Sequence, residues 1–227
     1  MKKLKQTETI DSDTLKRLDP FFPTGRKLNL SKVDTVVLHW TGGSTLQPAI
    51  DTLKQNGFGY HFLIDKDGTI IQGAKLTDRM SHAGESYGPN GEHVNNYAIG
   101  ISFVHWIETD KDGIPIPNGK EDVWTDEQQD SVTRLIYELK EVEGLNLKYL
   151  TGHHEISPGR KYDPYSYPFN DLVGSTGLKY WKAGDYPYTE LDKSNGSDAR
   201  RIKQFDPTLK TRALRDLRIT SDDKRSE

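Results

Sequence analysis

A short β-branched run, TVVLHW at residues 35–40, constrains the fold more than any other feature of this sequence. The run is apolar, too short for a buried helix, and stopped by Gly42 and Gly43, which is typical of a buried strand. His39 is the penultimate residue of that run. The sequence therefore predicts a sheet with a histidine near the carboxyl end of one buried strand.

Strand and helix patterns alternate after this run. Pro48 and the residues that follow it predict a short amphipathic helix that ends at Gly57. Two apolar runs flank Asp67 and Gly68, which is typical of a β-hairpin whose central turn residues both have positive φ. A further buried strand is predicted over residues 97–106. The alternation indicates an α/β domain.

One helix is predicted most directly. Thr125 lies three residues before Gln128, the spacing of a capping box, and the pattern ends at Gly144. Four apolar residues follow the box at helical spacing: Val132, Leu135, Ile136 and Leu139. We therefore expect a long amphipathic helix to cover one face of the sheet.

Composition divides the 227 residues into three parts. We expect an N-terminal arm at residues 1–30, a domain at 31–172 and a basic extension at 173–227. Residues 179–227 contain 12 Lys and Arg against 9 Asp and Glu. Short basic helices in this extension could contact a polymer, a protein partner or a larger assembly, or could simply pack on the domain as solvated helices.

Charge and cysteine content exclude several classes of function. The chain has 31 Lys and Arg against 34 Asp and Glu, so no nucleic-acid partner is expected. It has no Cys, and any metal must therefore be bound by His, Asp or Glu. We expect no membrane insertion, because no window is apolar for 18 residues. Residues 1–13 lack the apolar segment of a secretory signal, so we expect none.

Three residues far apart in the sequence could meet in one site. His153 follows a second short strand, so it and His39 could project from the same edge of the sheet, and Asp163 lies on a loop that can fold back. A catalytic zinc takes three protein ligands, and two imidazoles and one carboxylate supply that number. Alternatively, His39 is buried structure and Asp163 only starts a turn. The residues alone leave these interpretations about equally supported.

Five segments occur in an order that resembles a known family. They are VVLHWTGG (36–43), GYHFLIDKDGTIIQG (59–73), SHAG (81–84), NNYAIGISF (95–103) and TGHHEISPGRKYDP (151–164). Together they resemble the type 2 N-acetylmuramoyl-L-alanine amidases, which include small phage amidases and the animal peptidoglycan recognition proteins. The resemblance extends over residues 36–164.

The resemblance implies a fold, a metal and a substrate. The fold would be a central mixed β-sheet flanked by helices, with a groove for the stem peptide and glycan of peptidoglycan. Zinc would be bound by His39, Asp163 and the first histidine of GHH, which is His153 rather than His154. The resemblance also implies Tyr60 and Lys161 as catalytic donors to the oxyanion. Candidate substrate-binding residues are Trp40, His82 and Asn96.

The implied reaction is hydrolysis of the amide bond between N-acetylmuramic acid and L-alanine. Some members carry a Glu in the strand where this chain has Ser102, which cannot take a proton at neutral pH. Tyr60, Lys161 or Glu155 would then have to assist proton transfer. The alternative is a recognition module that binds muropeptides without cleaving them.

The site of action is also expected from the sequence. We expect a phage or phage-derived lysin, a bacteriolytic and antimicrobial endolysin that is made in the host cytoplasm or carried on the virion, and the alternative is a cytoplasmic recycling amidase. It would act on the cell wall after release. The remaining histidines are expected in lesser roles: His61 pointing away from Tyr60, His154 behind the metal, and His93 and His105 structural or solvated.

Overall fold

The computed structural model describes residues 15–17, 22 and 26–183. The arm expected at residues 1–30 is therefore described only in part. The basic helices expected within residues 199–218 lie outside the described residues.

The described residues form strands and helices in alternation. The strands are β1 (Leu15–Arg17), β2 (Thr35–Trp40), β3 (Phe62–Ile64), β4 (Ile70–Gln72), β5 (Tyr87–Gly88), β6 (Gly91–Glu92), β7 (Ala98–Phe103), β8 (Tyr149–Gly152) and β9 (Lys179–Tyr180). The helices are α1 (Leu46–Gln55), α2 (Asp126–Lys140), α3 (His153–Ile156) and α4 (Phe169–Thr176), with 3-10 turns at Leu30–Lys32 and Val94–Asn96.

Seven of these strands form one sheet in the order β1-β4-β3-β7-β2-β8-β9. Strand β2 runs parallel to β7 on one side and to β8 on the other, whereas β3 and β4 are antiparallel. The predicted α/β class with a central mixed sheet is thereby confirmed. Because β7, β2 and β8 are parallel, their carboxyl ends meet at one edge, where α/β proteins place ligands. Within the described residues, none of the helices has the length and apolarity needed to cross a bilayer.

The two faces of the sheet bury different side chains. Leu38 belongs to the larger core cluster, which also contains Leu135 of α2 and Leu172 of α4. Val37 belongs to a separate cluster on the other face. Since successive residues of a strand point to opposite faces, His39 lies on the side of Val37 and Trp40 on the side of α2. This alternation decides whether the side chain of His39 or that of Trp40 can reach the site.

Helix α2 confirms the capping-box prediction. The Thr125 hydroxyl accepts a hydrogen bond from the Gln128 backbone N–H, and the Gln128 side-chain oxygen accepts one from the Thr125 backbone N–H. The four apolar residues that set its spacing are all buried. The helix ends at Lys140. Gly144, whose φ is 90°, lies in the turn that follows the helix.

The β3–β4 hairpin forms as predicted, but its turn differs. Among residues 65–69 only Gly68 has positive φ, at 79°, so the turn is not the type with two such residues. The Asp65 N–H donates to the Thr69 carbonyl at 2.9 Å. A Cβ on Gly68 would lie 2.8 Å from the Glu127 carbonyl oxygen. Gly68 is therefore required both by its own backbone and by the close approach of α2.

Other element boundaries also differ from the sequence prediction. Helix α1 begins at Leu46, two residues before Pro48, because proline is tolerated throughout the first helical turn. Strand β7 is shorter than predicted, Ala98–Phe103. The loop predicted after His153 begins with the helical turn α3.

The boundary expected between residues 172 and 173 falls inside helix α4. Beyond it, β9 pairs with β8 in the main sheet, and Trp181 is buried. Residues 173–183 are thus packed on the domain.

Candidate metal centre

The three predicted metal ligands converge at the carboxyl edge of the sheet. His39 lies near the end of β2, and His153 opens α3 directly after the neighbouring strand β8. Their Nδ1 atoms are 3.1 Å apart. An Asp163 carboxylate oxygen lies 3.0 Å from His39 Nδ1 and 3.1 Å from His153 Nδ1. All three side chains are buried.

This triangle of atoms suits a cation better than a hydrogen-bond network. A proton bridges two atoms at a time, whereas three potential acceptor atoms here are mutually close. Tetrahedral bonds of about 2.0–2.1 Å would place neighbouring ligand atoms roughly 3.3 Å apart, close to the observed spacing. Two imidazole nitrogens and one carboxylate oxygen form a donor set typical of zinc rather than of Mg²⁺ or Ca²⁺. The residues present therefore fit a zinc ion.

The outer nitrogens of both histidines are also engaged. His39 Nε2 lies 3.0 Å from His82 Nδ1, and His153 Nε2 lies 3.1 Å from the Ala83 carbonyl oxygen. Since a carbonyl only accepts, His153 must carry its proton on Nε2, which leaves the Nδ1 lone pair facing the triangle. This is the arrangement that orients metal-binding histidines in proteins.

Burial and mutual charge set the protonation of the triangle. Burial lowers the pKa of His39 to about 4, and the hydrogen bond to Asp163 offsets this only in part. Burial alone would raise the pKa of Asp163, but the adjacent His153 and His39 side chains hold that pKa well below its usual value. At neutral pH His39 is therefore neutral and Asp163 is charged, as metal ligands must be.

The two predicted catalytic donors lie beside the triangle. The Tyr60 ring is 4.8 Å from the His39 ring, between centroids. Burial and then the charge of Asp163 raise the pKa of Tyr60, so its hydroxyl keeps its proton. Lys161 is exposed, and its positive charge is close enough to lower the pKa of His39. Both residues can donate to an oxygen that develops negative charge near the triangle.

The three predicted substrate-binding residues are placed differently. His82 is buried behind His39 rather than lining an open surface. Trp40 lies on the opposite face of the sheet and stacks on His105, with ring centroids 5.9 Å apart. Asn96 is exposed and accepts a hydrogen bond from Arg79 Nε at 2.6 Å. Of the three, the structure brings only His82 into contact with a predicted ligand, and their role towards substrate stays a prediction.

Ser102 and Glu155 bear on proton transfer. The Ser102 side chain is buried, and its hydroxyl has no hydrogen-bond partner among the described residues. It is near enough to offset part of the pKa shift of Tyr60, but not in hydrogen-bonding geometry. The Glu155 carboxylate accepts from Tyr180 and from the Ala183 N–H. Those bonds engage both of its oxygens, which counts against the proton-transfer role considered for it.

The remaining histidines contact other parts of the fold or lie at the surface. His61 Nδ1 accepts from the Gly100 N–H, and its Nε2 donates to the Asp78 carbonyl. His105 stacks on Trp124 with ring centroids 3.6 Å apart, and His93 is exposed. His154 Nδ1 lies 3.2 Å from the Asp163 carbonyl oxygen, so this histidine contacts the backbone of a predicted ligand.

Two residues near the triangle were not predicted from the sequence. The Asn95 side chain accepts from the backbone N–H groups of His82 and Ala83. Arg160 donates to the carbonyl oxygens of Ala83 and Glu85. Both lie within segments quoted above, but their partners are backbone atoms, which no side-chain pattern could have indicated.

Comparison with known proteins agrees with this geometry. A family model described as N-acetylmuramoyl-L-alanine amidase matches residues 29–166. The 1,6-anhydro-N-acetylmuramyl-L-alanine amidase AmpD of Haemophilus influenzae is 30% identical over 123 residues, which are 54% of this chain and 60% of the relative. Its Escherichia coli counterpart is 30% identical over 105 residues, 46% of this chain and 50% of the relative. The chain thus spans between half and two thirds of the length of these relatives.

Solved structures show the same fold. The endolysin amidase LysCS from Clostridium intestinale aligns with a TM-score of 0.55 at 23% identity, covering 75% of this chain and all of that one. The amidase AmiD from E. coli, solved with an anhydro-N-acetylmuramic acid peptide, aligns with a TM-score of 0.53 at 19% identity, covering 72% of this chain and 65% of that one. At these identities the likeness establishes the fold alone.

Proposed function

Because the chain belongs to the N-acetylmuramoyl-L-alanine amidase family, we propose that it hydrolyses the amide bond between N-acetylmuramic acid and L-alanine in peptidoglycan. The observation that carries this proposal is the convergence of His39, His153 and Asp163 at one edge of the sheet. These three residues would hold a catalytic zinc ion. The stem peptide and glycan of peptidoglycan are the proposed substrate.

The residues of the chain divide the chemistry between them. A zinc ion held by His39, His153 and Asp163 would supply Lewis-acid chemistry for the amide carbonyl and would lower the pKa of a bound water to about 7. Tyr60 keeps its phenolic proton and donates a hydrogen bond to the oxygen that gains charge. Lys161 stabilises the same charge electrostatically.

Proton transfer must proceed without a carboxylate on β7. Ser102 occupies that position and is too weak a base, and Glu155 is bound to Tyr180 and Ala183. Lys161, an exposed cation near the site, can donate a proton to the leaving amine, and the proton lost by the attacking water replaces it. We therefore assign it both an electrostatic and a proton-transfer role.

A non-catalytic recognition module is the second candidate. It would bind the same muropeptides but would not need both a ligand triangle and two donors beside it. The presence of His39, His153 and Asp163 together with Tyr60 and Lys161 favours an enzyme. The candidates differ in one measurable respect, which is whether the muropeptide is cleaved.

The place of action is a further part of the proposal. We propose a lysin that acts on intact cell wall after release, on the ground that Ser102 replaces the carboxylate that some members of the family carry. The AmpD relatives are named for 1,6-anhydro-muropeptides, which supports the competing assignment of a recycling amidase. The basic extension is proposed as a contact for a protein partner or for the wall.

One experiment separates these possibilities. Purified protein is incubated with intact sacculi and, separately, with 1,6-anhydro-muropeptides, and the products are identified by mass spectrometry with and without a chelator. Release of L-alanine-terminated peptides that stops on chelation and returns with zinc supports the amidase. Intact muropeptides under every condition would support the recognition module. Preference for sacculi supports the lysin, and preference for anhydro-muropeptides the recycling role.

A further inference from the structure

We propose that residues 82–83 position both histidine ligands at once, and that Asn95 and Arg160 are positioning residues that hold this segment in place. The inference rests on the zinc site of the proposed function and adds to it a support that lies outside the ligand triangle. It concerns the orientation and tautomer of His39 and His153.

The two outer contacts of the ligands come from consecutive residues. His39 Nε2 meets the His82 side chain at 3.0 Å, and His153 Nε2 meets the Ala83 carbonyl oxygen at 3.1 Å. The ligands themselves are 114 residues apart in the chain. A displacement of the 82–83 segment would therefore disturb both histidines together, which separate partners would not do.

These contacts also fix the protons. For His39 Nδ1 to offer a lone pair to the triangle, His39 Nε2 must donate its proton to His82 Nδ1, which assigns the proton of His82 to its own Nε2. That nitrogen is buried and has no hydrogen-bond partner among the described residues. The Ala98 carbonyl acts on the ring, offsetting part of its lowered pKa, but is not in hydrogen-bonding geometry with Nε2. The His82 ring thus accepts a hydrogen bond from His39, while its own Nε2–H lacks an acceptor among the described residues.

Two side chains hold the 82–83 segment through its backbone groups. Asn95, which is 5% exposed, accepts from the His82 N–H at 3.1 Å and from the Ala83 N–H at 2.9 Å. Arg160 Nη2 donates to the Ala83 carbonyl oxygen at 2.7 Å. The same carbonyl therefore receives one hydrogen bond from His153 and one from Arg160. Neither Asn95 nor Arg160 supplies an atom to the ligand triangle.

Gly100 provides the space that the segment needs. A Cβ on Gly100 would lie 2.7 Å from Cγ of the His82 ring, closer than real Cβ contacts come. Its φ is outside the positive region, so alanine is acceptable to the backbone there. Gly100→Ala therefore tests the position of the His82 ring without backbone strain.

The experiment measures zinc affinity of the full-length protein by competition with a chelator at neutral pH. We expect Asn95→Ala, Arg160→Ala and Gly100→Ala each to weaken zinc binding by about 10–100-fold, the usual effect of removing an outer partner of a metal ligand. Asn95→Asp keeps the acceptor oxygen and Arg160→Lys keeps one donor, so both should recover part of the affinity. Arg134→Ala, at an exposed arginine of α2, is the matched control and should leave the affinity unchanged.

A second readout separates positioning from general loss of fold. In the metal-free protein, long-range ¹H–¹⁵N spectra of the imidazoles should show His153 with its proton on Nε2, and Arg160→Ala should give a mixture of tautomers. Cobalt-substituted variants should show an altered visible absorption band while their metal-free melting temperatures stay near that of the wild type.

Three results would overturn the inference. The first is wild-type zinc affinity in the Asn95→Ala and Arg160→Ala variants while His39→Ala loses binding, which leaves the proposed function intact. The second is loss of affinity that follows loss of thermal stability in every variant, the conservative ones included. The third is absence of zinc binding by the wild-type chain, which removes the zinc site of the proposed function and this inference with it.

Discussion

His39 and Ser102 lie directly opposite each other on the neighbouring parallel strands β2 and β7. Residues paired in this way point to the same face, so the buried Ser102 hydroxyl is directed towards the side of the sheet that holds the ligand triangle. A carboxylate at this position would face the metal site. Serine offers a hydroxyl that does not ionise at neutral pH.

Ser102→Ala should therefore change the rate very little. We expect kcat within about threefold of the wild type, because a hydroxyl that cannot act as a base contributes no general base catalysis. The assay is peptide release from muropeptides at fixed zinc concentration. A loss of a hundredfold or more would show that the hydroxyl takes part in proton transfer.

Tyr60→Phe should lower kcat by about 10²–10³-fold, the usual cost of removing one donor to the oxyanion. Zinc affinity should not change, because Tyr60 contacts the His39 ring and supplies no ligand atom. Tyr137→Phe, on the exposed side of α2, is the control and should keep full activity. Equal activity in the two variants would remove Tyr60 from the mechanism.

Asp163→Asn should lose both zinc and activity. The amide keeps the size of the carboxylate but loses the negative charge that the triangle needs. Metal content after dialysis and product release are measured on the same sample. His93→Ala, which removes an exposed histidine, should retain one zinc per chain. An Asp163→Asn variant that binds zinc as tightly as the wild type would contradict the proposed ligand set.

The metal-free protein should lose stability as the solution becomes mildly acidic. Burial lowers the pKa of His61 to about 4, whereas the unfolded chain titrates near 6.5, so the unfolded state binds more protons between these values. The stabilising contribution is complete above about pH 6.5 and is lost as the pH falls towards 4, by up to roughly 3 kcal/mol.

Denaturant unfolding in the presence of a chelator at pH 7 and pH 5 measures this effect. The free energy of unfolding of the wild type should fall between the two values. His61→Gln should be less stable than the wild type at pH 7 but should lose less between pH 7 and pH 5. Identical pH dependence in the two proteins would exclude His61 as a source of the slope.

Gly68→Ala should destabilise the fold by about 1–3 kcal/mol. Both the positive φ and the contact of a Cβ with the Glu127 carbonyl oxygen contribute. Gly91→Ala is the matched comparison, because its φ is 96° but, among the described residues beyond its chain neighbours, no atom lies within 4 Å of the added Cβ. The difference between the two variants in thermal unfolding measures the contact with α2 alone. No difference would mean that the helix yields to the added carbon.

The sequence predicted those features that depend on local chemistry. The strand containing His39 was recognisable from its β-branched residues and the glycines after it, and α2 from the pairing of Thr125 with Gln128. Ligand convergence followed from two strands with a histidine at or just beyond their carboxyl ends, once the family resemblance selected His153. These signals lie within a few residues of the feature they predict.

Features that depend on tertiary contacts could not be predicted. The Gly68 turn is set by the approach of Glu127 and Ser131, which are distant in sequence. Trp40, a candidate substrate-binding residue, stacks on His105, a contact between residues far apart in the sequence. Ala83 supports the ligands through its backbone carbonyl group. Every residue has such a group, so the identity of residue 83 could not indicate this role.

Parallel pairing of β2 with β8 has one further consequence. An ion bound where these strands end would join segments more than a hundred residues apart, as a covalent crosslink does. The population of folded molecules would then rise with free zinc by mass action. In a zinc-poor environment more molecules would be unfolded and therefore open to proteolysis. Fewer folded but inactive copies would then accumulate.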